Sequence, residues 1–232
     1  MSRSKYINTF NTTADYNNYI ESALPEFPNV GYDKQAGEVK IRRTSPNNYQ
    51  IWGTTTATSN FNIKLNNTNV EVTVDPDLGD FYLTGWTGTL TSLRQCFYNL
   101  SHITSIKKFA LDTSHVSTTN QFVVISRSLT LINLSGCDFS TVTDAAYMFS
   151  DCSSLEILYL NGCDFSNVTS TTNMFYAVPL TDVYIDVEAT LMKLTNNLTS
   201  QGTNGDYIPS SATIHYNGTD YKWQNNAWTP QS

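Results

Sequence analysis

Positions in the middle of this chain recur at a fixed interval of 26 residues. The segment Cys-Asp-Phe-Ser occurs at 137–140 and again at 163–166, and two other positions recur in three copies. These positions are Asp112, Asp138 and Asp164, and Val116, Val142 and Val168. A fixed period of about 20 to 50 residues is typical of chains whose units must stack on their neighbours to bury an apolar face. The period therefore predicts a solenoid that presents a surface.

Apolar residues occupy equivalent positions in the copies, which run from about 90 to 186. Two sets share this property, the starting position of each copy and the seventh residue after it. They are Leu90, Val116, Val142 and Val168, and Phe97, Val123, Phe149 and Phe175. We expect both sets to line one continuous core. The pattern of Leu155–Leu160 predicts a strand, and its counterparts in the other copies should pair with it as a parallel sheet.

The first copy differs from the later ones. It has Lys108 where the second and third copies have Leu134 and Leu160. Terminal repeats are commonly atypical because they cap the stack, so this difference is expected. Within a copy, residues 143–149 should form a short helical or turn-like connector.

Residues 1–45 are expected to form an N-terminal module. An apolar stripe of Tyr16, Tyr19 and Ile20 at helical spacing predicts a short helix there. One short helix with a narrow stripe is not stable alone, so it must pack against a neighbouring strand or a partner.

Two further segments flank the repeats. Residues 46–89 alternate between apolar and polar side chains, which predicts β-hairpins, with one turn near Asn66. Residues 187–232 start with a helical pattern and end in a hairpin that turns at Asn217–Gly218. The expected fold is therefore α+β and β-rich, a short solenoid with a parallel sheet between an N-terminal module, a β segment and a C-terminal cap.

Composition excludes several classes of protein. With 11 Phe, 14 Tyr and 4 Trp the chain has enough aromatic residues for a folded core, and a net charge of -7 opposes binding to nucleic acid. No apolar run reaches the length of about 18 residues that a membrane-spanning helix needs. The N-terminus has no apolar segment followed by a cleavage site, so no secretion signal is predicted.

The four cysteines all lie in the repeats. We expect them to act as small buried hydrophobic residues, and the alternative is a disulfide between Cys137 and Cys163, which lie one period apart.

Carboxylates occur in two groups that allow two interpretations. Asp75–Asp80 is expected to form a turn, and Asp112, Asp138 and Asp164 are expected to form an Asx turn in each copy. The alternative at both places is a Ca²⁺ site, because carboxylate oxygens are ligands that Ca²⁺ prefers.

No motif of nucleophilic, phosphate-binding or metal-dependent catalysis is present, and the three histidines lie outside any such motif. We therefore expect no enzyme activity and no cofactor. Four aromatic residues near the C-terminus, Tyr216, Tyr221, Trp223 and Trp228, form a candidate glycan-stacking platform. The alternative is that they pack the hairpin onto its neighbour.

Two segments of the third copy and its continuation carry a family resemblance. Residues 148–155 read MFSDCSSL and residues 160–169 read LNGCDFSNVT. Both resemble the 26-residue, BspA-type leucine-rich repeat of bacterial surface proteins, whose two halves read MF-x-x-C-x-S-L and L-D-L-S-x-F-D-T-S-x-V-T. The match covers about 90–186 and is specific in the second and third copies. The resemblance implies adhesion or surface recognition and supplies no catalytic residue.

The N-terminal segment carries a second resemblance. Residues 6–20, YINTFNTTADYNNYI, with Pro28–Tyr32 and Gly37–Lys40, are similar to the N-terminal module of virion proteins of gut crAss-like phages. This likeness implies a docking module that holds interchangeable domains on the particle, as in a head fibre. A phage protein is assembled in the host cytoplasm and leaves by lysis, which agrees with the lack of a secretion signal.

These observations lead us to expect a non-enzymatic virion protein, such as a capsid-attached head fibre, whose repeats recognise a host surface glycan or protein. Residues 1–45 would dock it to a capsid protein, with Tyr16, Tyr19 and Ile20 as candidate docking or oligomer contacts. A homo-oligomer is expected, with a trimer favoured, because fibre proteins are usually oligomeric. The alternatives are a bacterial cell-surface adhesin and a tail-associated protein that binds or degrades polysaccharide.

Overall fold

The computed structural model describes residues 5–9, 34–35, 38–42, 49–200 and 205–231, and before residue 49 it describes only the backbone of three strands. The chain divides into two compact units, which we call the N-terminal unit (residues 1–48) and the main unit (residues 49–232). The helix predicted around Tyr16, Tyr19 and Ile20 lies outside the described residues.

The N-terminal unit contains a small antiparallel sheet. Its strands are β1 (Lys5–Thr9), β2 (Lys34–Gln35) and β3 (Glu38–Arg42). The order is β1-β3-β2, with Tyr6 opposite Ile41 and Lys34 opposite Val39. Strand β3 therefore lies at the centre of this sheet.

The described part of the main unit is β-rich, with a single short helix. Its elements are, in chain order, β4 (Ile51–Thr55), β5 (Phe61–Leu65), β6 (Thr68–Asp75), β7 (Asp80–Leu83), β8 (Ile103–Phe109), β9 (Leu131–Asn133), β10 (Ile157–Tyr159), β11 (Asp182–Ile185), α1 (Glu188–Leu194), β12 (Thr213–Tyr216), β13 (Thr219–Gln224) and β14 (Ala227–Pro230). The eleven strands form one sheet in the order β14-β13-β12-β11-β10-β9-β8-β4-β7-β6-β5. Strands β8 to β12 are parallel, and the pairs outside them are antiparallel.

Each repeat copy is hydrogen-bonded to the next on two sides. On the sheet side, Ile132 pairs in register with Ile106 in one direction and with Leu158 in the other. On the opposite side, isolated parallel bridges join Thr118 to Asp144 and Asp144 to Ser170. Two series of backbone hydrogen bonds, one through the sheet strands and one through the isolated bridges, therefore run along the stack. They pair backbone groups that burial would otherwise leave without a partner.

The predicted core positions are all buried. The starting residues of the copies and the seventh residues after them have at most 3% of their surface exposed. Aromatic rings at equivalent positions stack across copies, as Phe149 and Phe175 do with centroids 5.6 Å apart. Equivalent residues of successive copies contact one another because each copy places them at the same point of its path. The continuous core predicted from the period is therefore confirmed.

A β-bulge explains how the first copy accommodates Lys108. Opposite β4, the register of β8 shifts between the pair Trp52–Lys108 and the pair Gly53–Ile106. Because of the extra residue in β8, Phe109, which is 3% exposed, takes the core position that Leu134 and Leu160 occupy in the second and third copies. Lys108 can therefore stand at the aligned position in the sequence without burying its charge.

Hydroxyl side chains add a second set of bonds to the stack. Thr143 donates its backbone N–H (3.0 Å) and its hydroxyl (3.4 Å) to the carbonyl of Ser117 in the preceding copy. Thr169 bonds in the same two ways to Thr143, at 2.8 and 3.0 Å. At this position of each copy, the hydroxyl and the backbone N–H of one residue both donate to one carbonyl of the preceding copy. This requirement for a hydroxyl accounts for part of the high Thr and Ser content.

Both ends of the stack are capped. At the start, the β5–β6 turn places Asn66 so that its Oδ1 accepts the backbone N–H groups of Thr91 (2.8 Å) and Ser92 (3.1 Å). At the other end, helix α1 places Thr190, which donates to the carbonyl of Cys163 (2.6 Å) and accepts the N–H of Phe165 (3.0 Å). These contacts satisfy backbone groups that have no further copy to bond.

The C-terminal hairpin forms as predicted and continues into a third strand, β14, which the sequence analysis did not foresee. Its edge is covered, because Trp228 donates its backbone N–H to Leu198 (3.1 Å) and Pro230 has no N–H to offer. An exposed strand edge favours pairing with other chains, so this arrangement protects the end of the sheet.

The cysteines are free and buried, so the alternative of a disulfide between Cys137 and Cys163 is wrong. The thiol of Cys152 donates to the carbonyl of Val123 at 2.8 Å. Burial raises the pKa of the Cys137 and Cys152 thiols to about 12. The cysteines therefore act as small apolar residues, as the sequence analysis expected.

Replacement of Gly53 by alanine tests the packing of β4 against its neighbours. A Cβ at this position would lie 2.6 Å from the ring of Phe81 and would overlap the carbonyl oxygen of Ser105. We expect Gly53→Ala to lower the free energy of unfolding by about 3 kcal/mol, the upper end of the usual cost of overpacking. Urea denaturation followed by tryptophan fluorescence reports on the main unit alone, because all four tryptophans lie in it.

The control is Gly136→Ala. Gly136 has φ +82° and nothing within 4 Å of an added Cβ. This variant should cost only about 1 kcal/mol, from the left-handed backbone. Equal losses in the two variants would contradict the steric argument.

Candidate functional site

The outward side of the parallel sheet is the candidate site, and we call it the open face. Alternate residues of β9 to β12 point into the core, and those between them point outward and are partly exposed. The open face comprises two rows of side chains across neighbouring strands. One row is Asn133, Tyr159, Tyr184, His215 and Asp220, and the other is Leu131, Ile157, Asp182, Thr213 and Lys222.

Three rings in the first row stack face to face, and we call them the aromatic row. The centroids of Tyr159 and Tyr184 lie 4.5 Å apart with an interplanar angle of 13°. Tyr184 and the imidazole of His215 follow at 4.4 Å and 17°. Neighbouring strands are separated by about 4.8 Å, so aromatic residues in register on parallel strands meet at stacking distance. The period of the stack thus sets the geometry of the row.

His215 ends the aromatic row between two carboxylates. Its Nε2 lies 2.9 Å from Oδ1 of Asp182 on β11, and its Nδ1 lies 2.7 Å from Oδ1 of Asp220 on β13. An ionised carboxylate only accepts hydrogen bonds, so two such contacts fit an imidazolium with a proton on each nitrogen. The pair of contacts therefore joins the terminal hairpin to the repeat stack through one charged ring.

The pKa values of the network follow from these contacts. Burial lowers the pKa of His215, but the hydrogen bonds to Asp182 and Asp220 outweigh it, and the net shift is upward. The pKa of Asp182 is lowered, first by the hydrogen bond from His215 and then by that from Thr181. Each partner thus favours the charged form of the other.

The first row continues on the other side of Tyr159 without aromatic rings. Asn133 on β9 is the register partner of Tyr159. On β8 the register pairing with β9 ends at Ile106, the partner of Ile132, and Lys107 follows at the bulge. The Nζ of Lys107 lies 5.0 Å from the ring centroid of Trp52 on β4, a cation–π distance.

The four C-terminal aromatic residues singled out in the sequence lie on the other side of the sheet from the open face and contact one another in pairs. Tyr216 and Tyr221 meet at 6.4 Å, and Trp223 and Trp228 meet at 5.7 Å, both edge to face. Trp228 is 3% exposed, and its indole N–H donates to the carbonyl of Ser200 at 3.1 Å. The other three pack against the core. They hold the hairpin in place, and their binding of glycans stays a prediction; Tyr16, Tyr19 and Ile20 lie outside the described residues.

The recurring aspartates form the predicted Asx turns. Oδ1 of Asp138 accepts the backbone N–H of Ser140 at 2.9 Å, and Asp112 and Asp164 make the same bond to the residue two positions on. Hydrogen bonds from the following serine lower the pKa of Asp112 and Asp138. Asp75–Asp80 is a turn between β6 and β7. Within the described ranges, no group of three or more His, Cys, Asp or Glu side chains is placed to hold a metal ion.

Sequence reasoning missed the aromatic row, although part of the signal was present. Tyr159 lies in the predicted strand Leu155–Leu160, at a position between two core residues, so its outward direction followed from the alternation. Tyr184 lies 25 residues later, because the fourth copy is shorter, and His215 lies outside the repeats. Only the fold brings these two into register with Tyr159.

The charge on His215 makes the stability of the main unit depend on pH. Because its folded pKa is raised above the usual 6.5, its contribution is complete below about pH 6.5 and is lost as the pH rises through the folded pKa. We expect the thermal midpoint to fall between pH 6 and pH 8.5. His215→Phe keeps a ring against Tyr184 but cannot titrate, so this component should vanish in the variant. In NMR titrations His215 should titrate above pH 6.5, whereas the pKa of His102 is lowered by burial; a His215 value below 6.5 would contradict the assignment.

Comparison with known proteins gives one match. A family model described as "Mycoplasma protein of unknown function, DUF285" matches residues 83–186. The chain is similar to that family from the end of β7 through β11, and the match leaves out the N-terminal unit, α1 and the C-terminal strands. No curated protein and no solved structure matches the chain. In the described part of the chain, no helix has the length and apolar character that crossing a membrane requires.

Proposed function

We propose that this protein is a non-enzymatic virion protein of a bacteriophage, attached to the capsid as a head fibre or decoration, and that it recognises a host surface. In this proposal residues 1–45 dock to a capsid protein, and the main unit is a leucine-rich-repeat-like solenoid of the BspA type that displays the open face. The division of the chain at residue 48 supports separate roles for the two parts.

The open face is the observation that carries this proposal. Its residues stand on strands that are hydrogen-bonded on both sides, so a ligand would meet side chains in fixed positions. Sites built on strands hold their geometry better than sites on loops. The face combines stacked rings, an imidazole between carboxylates and half-buried aliphatic residues, which are groups used in recognition.

A bacterial cell-surface adhesin is the second candidate, and one observation favours it. The matching family model is named for proteins of a cellular organism, Mycoplasma. The same open face would serve in either setting. The two candidates differ in where the protein is found, on virus particles or on the producing cell. A tail-associated protein that degrades polysaccharide differs from both by releasing reducing sugar from host capsule.

Deletion of residues 1–45 tests the docking role. We expect the full chain to sediment with purified capsids and the truncated chain to remain in the supernatant, because the proposed docking contacts are lost. Circular dichroism and tryptophan fluorescence should show that the remaining main unit keeps its fold, since the core residues that the structure describes lie within residues 49–232. A folded, truncated protein that still sediments with capsids would reject the docking role.

The oligomeric state tests the comparison with fibres. We expect a homo-oligomer in solution, a trimer of the 26.0 kDa chain. Light scattering coupled to size exclusion should give about three times the chain mass over a tenfold range of concentration. Replacement of Tyr16, Tyr19 and Ile20 by serine should shift the mass toward one chain, whereas a wild-type monomer at every concentration would contradict this proposal.

A further inference from the structure

The aromatic row ends at Tyr159, because among the described residues no ring stacks on the side of Tyr159 away from Tyr184. Tyr184 covers the other face at a centroid distance of 4.5 Å. On the uncovered side the register partner is Asn133, whose side chain is short and carries no ring. Among the described residues, Tyr159 has an aromatic neighbour only on the Tyr184 side. A gap therefore lies above Asn133, with a flat apolar wall.

The gap has polar groups at its floor and far side. Oδ1 of Asn133 accepts the backbone N–H of Ser135 at 2.9 Å, which fixes the orientation of the amide and leaves Nδ2 as a donor. On the neighbouring strand β8, Lys107 follows the last residue that pairs with β9, and its Nζ lies 5.0 Å from the ring centroid of Trp52. Strand β8 lies two strand spacings from β10, about 10 Å. That width admits one six-membered ring in contact with Tyr159 at about 4 Å.

Carbohydrate chemistry fits these groups. A pyranose has a face of C–H groups, which packs on an aromatic ring, and hydroxyl groups around its edge, which need donors and acceptors. Tyr159 supplies the ring and Asn133 supplies a donor, and the ammonium of Lys107 stands on the neighbouring strand β8. The half-buried side chains of Leu131 and Ile157 in the adjacent row add apolar surface beside the gap.

Other ligand classes fit less well. A peptide that adds a strand needs open backbone groups, and β9 and β10 are paired on both sides. A nucleic acid would bring phosphates toward Asp182 and Asp220 on a chain with a net charge of -7. The imidazolium of His215 already has a carboxylate on each side. These charges leave a sugar as the ligand class that the gap can take.

We propose that the gap beside Tyr159 is a saccharide-binding subsite that takes one pyranose residue of a surface polysaccharide. This inference rests on the proposed function in surface recognition and names its ligand class. The aromatic row fixes the orientation of Tyr159, because Tyr184 stacks on one face of its ring and His215 stacks on Tyr184.

Saturation-transfer NMR on the full-length protein tests the subsite. The probes are the methyl β-pyranosides of glucose, galactose, N-acetylglucosamine and glucuronic acid. We expect saturation of at least one probe, strongest for the protons on one face of its ring. Tyr159→Ala should weaken binding of that probe at least tenfold, and Tyr159→Phe, which keeps the ring, should retain it within about threefold.

Two further variants separate binding from folding. Asn133→Tyr should abolish saturation of the probe, because a ring there would extend the aromatic row and fill the gap without emptying the core. Tyr176→Ala removes a tyrosine that is 52% exposed and lies in a turn outside the sheet, so it should leave binding unchanged. The thermal midpoint of each variant shows whether it folds.

The outcomes distinguish this subsite from the proposed function. No transfer to any of the four probes, or unchanged binding in folded Tyr159→Ala and Asn133→Tyr, would overturn the subsite. Sedimentation of Asn133→Tyr with capsids should equal that of the wild type, because the proposed docking depends on residues 1–45. Loss of saccharide binding with intact capsid association supports the subsite, and a wild type that binds sugar but never capsids rejects the virion role alone.

Discussion

Hydrogen bonds between equivalent positions of successive copies determine the rest of this structure. Each copy bonds to its neighbours through the parallel sheet on one side and through the bridges of Thr118, Asp144 and Ser170 on the other. With both sides fixed, every equivalent side chain repeats at one strand spacing. The stacked phenylalanines of the core, the paired hydroxyl and backbone donors and the stacked rings of the open face all follow from that spacing.

The 26-residue period predicted the features that are the same in every copy. It gave the buried positions, the parallel strands and the Asx turns of Asp112, Asp138 and Asp164, because each of these is set by the same local sequence in the same place. The free cysteines also followed, since their positions faced inward. The turn at Asn217–Gly218 was predictable from local chemistry alone, as both residues accept positive φ values, here 47° and 80°.

Other features depend on contacts that local sequence does not contain. The connector around residues 143–149 is a turn rather than a helix, and it holds Tyr147 at φ 57° and its counterpart in the second copy, Gln121, at the same value. Ile125 lies at φ 61°, which a β-branched residue adopts only when its surroundings impose it. The bulge at Lys108 and the link from His215 to Asp182 likewise arise from strand pairing across tens of residues. The sequence alone could therefore place Tyr159 on the open face, but it could not place His215 there.

The contacts of the two caps do not depend on how many copies lie between them. Asn66 contacts only the first copy, and Thr190 contacts the end of the third, so neither cap touches the second. Duplication of one 26-residue copy in the interior would lengthen the sheet by about 4.8 Å and leave both ends as they are. Unequal recombination between similar copies would thus change the length of the sheet without a new fold.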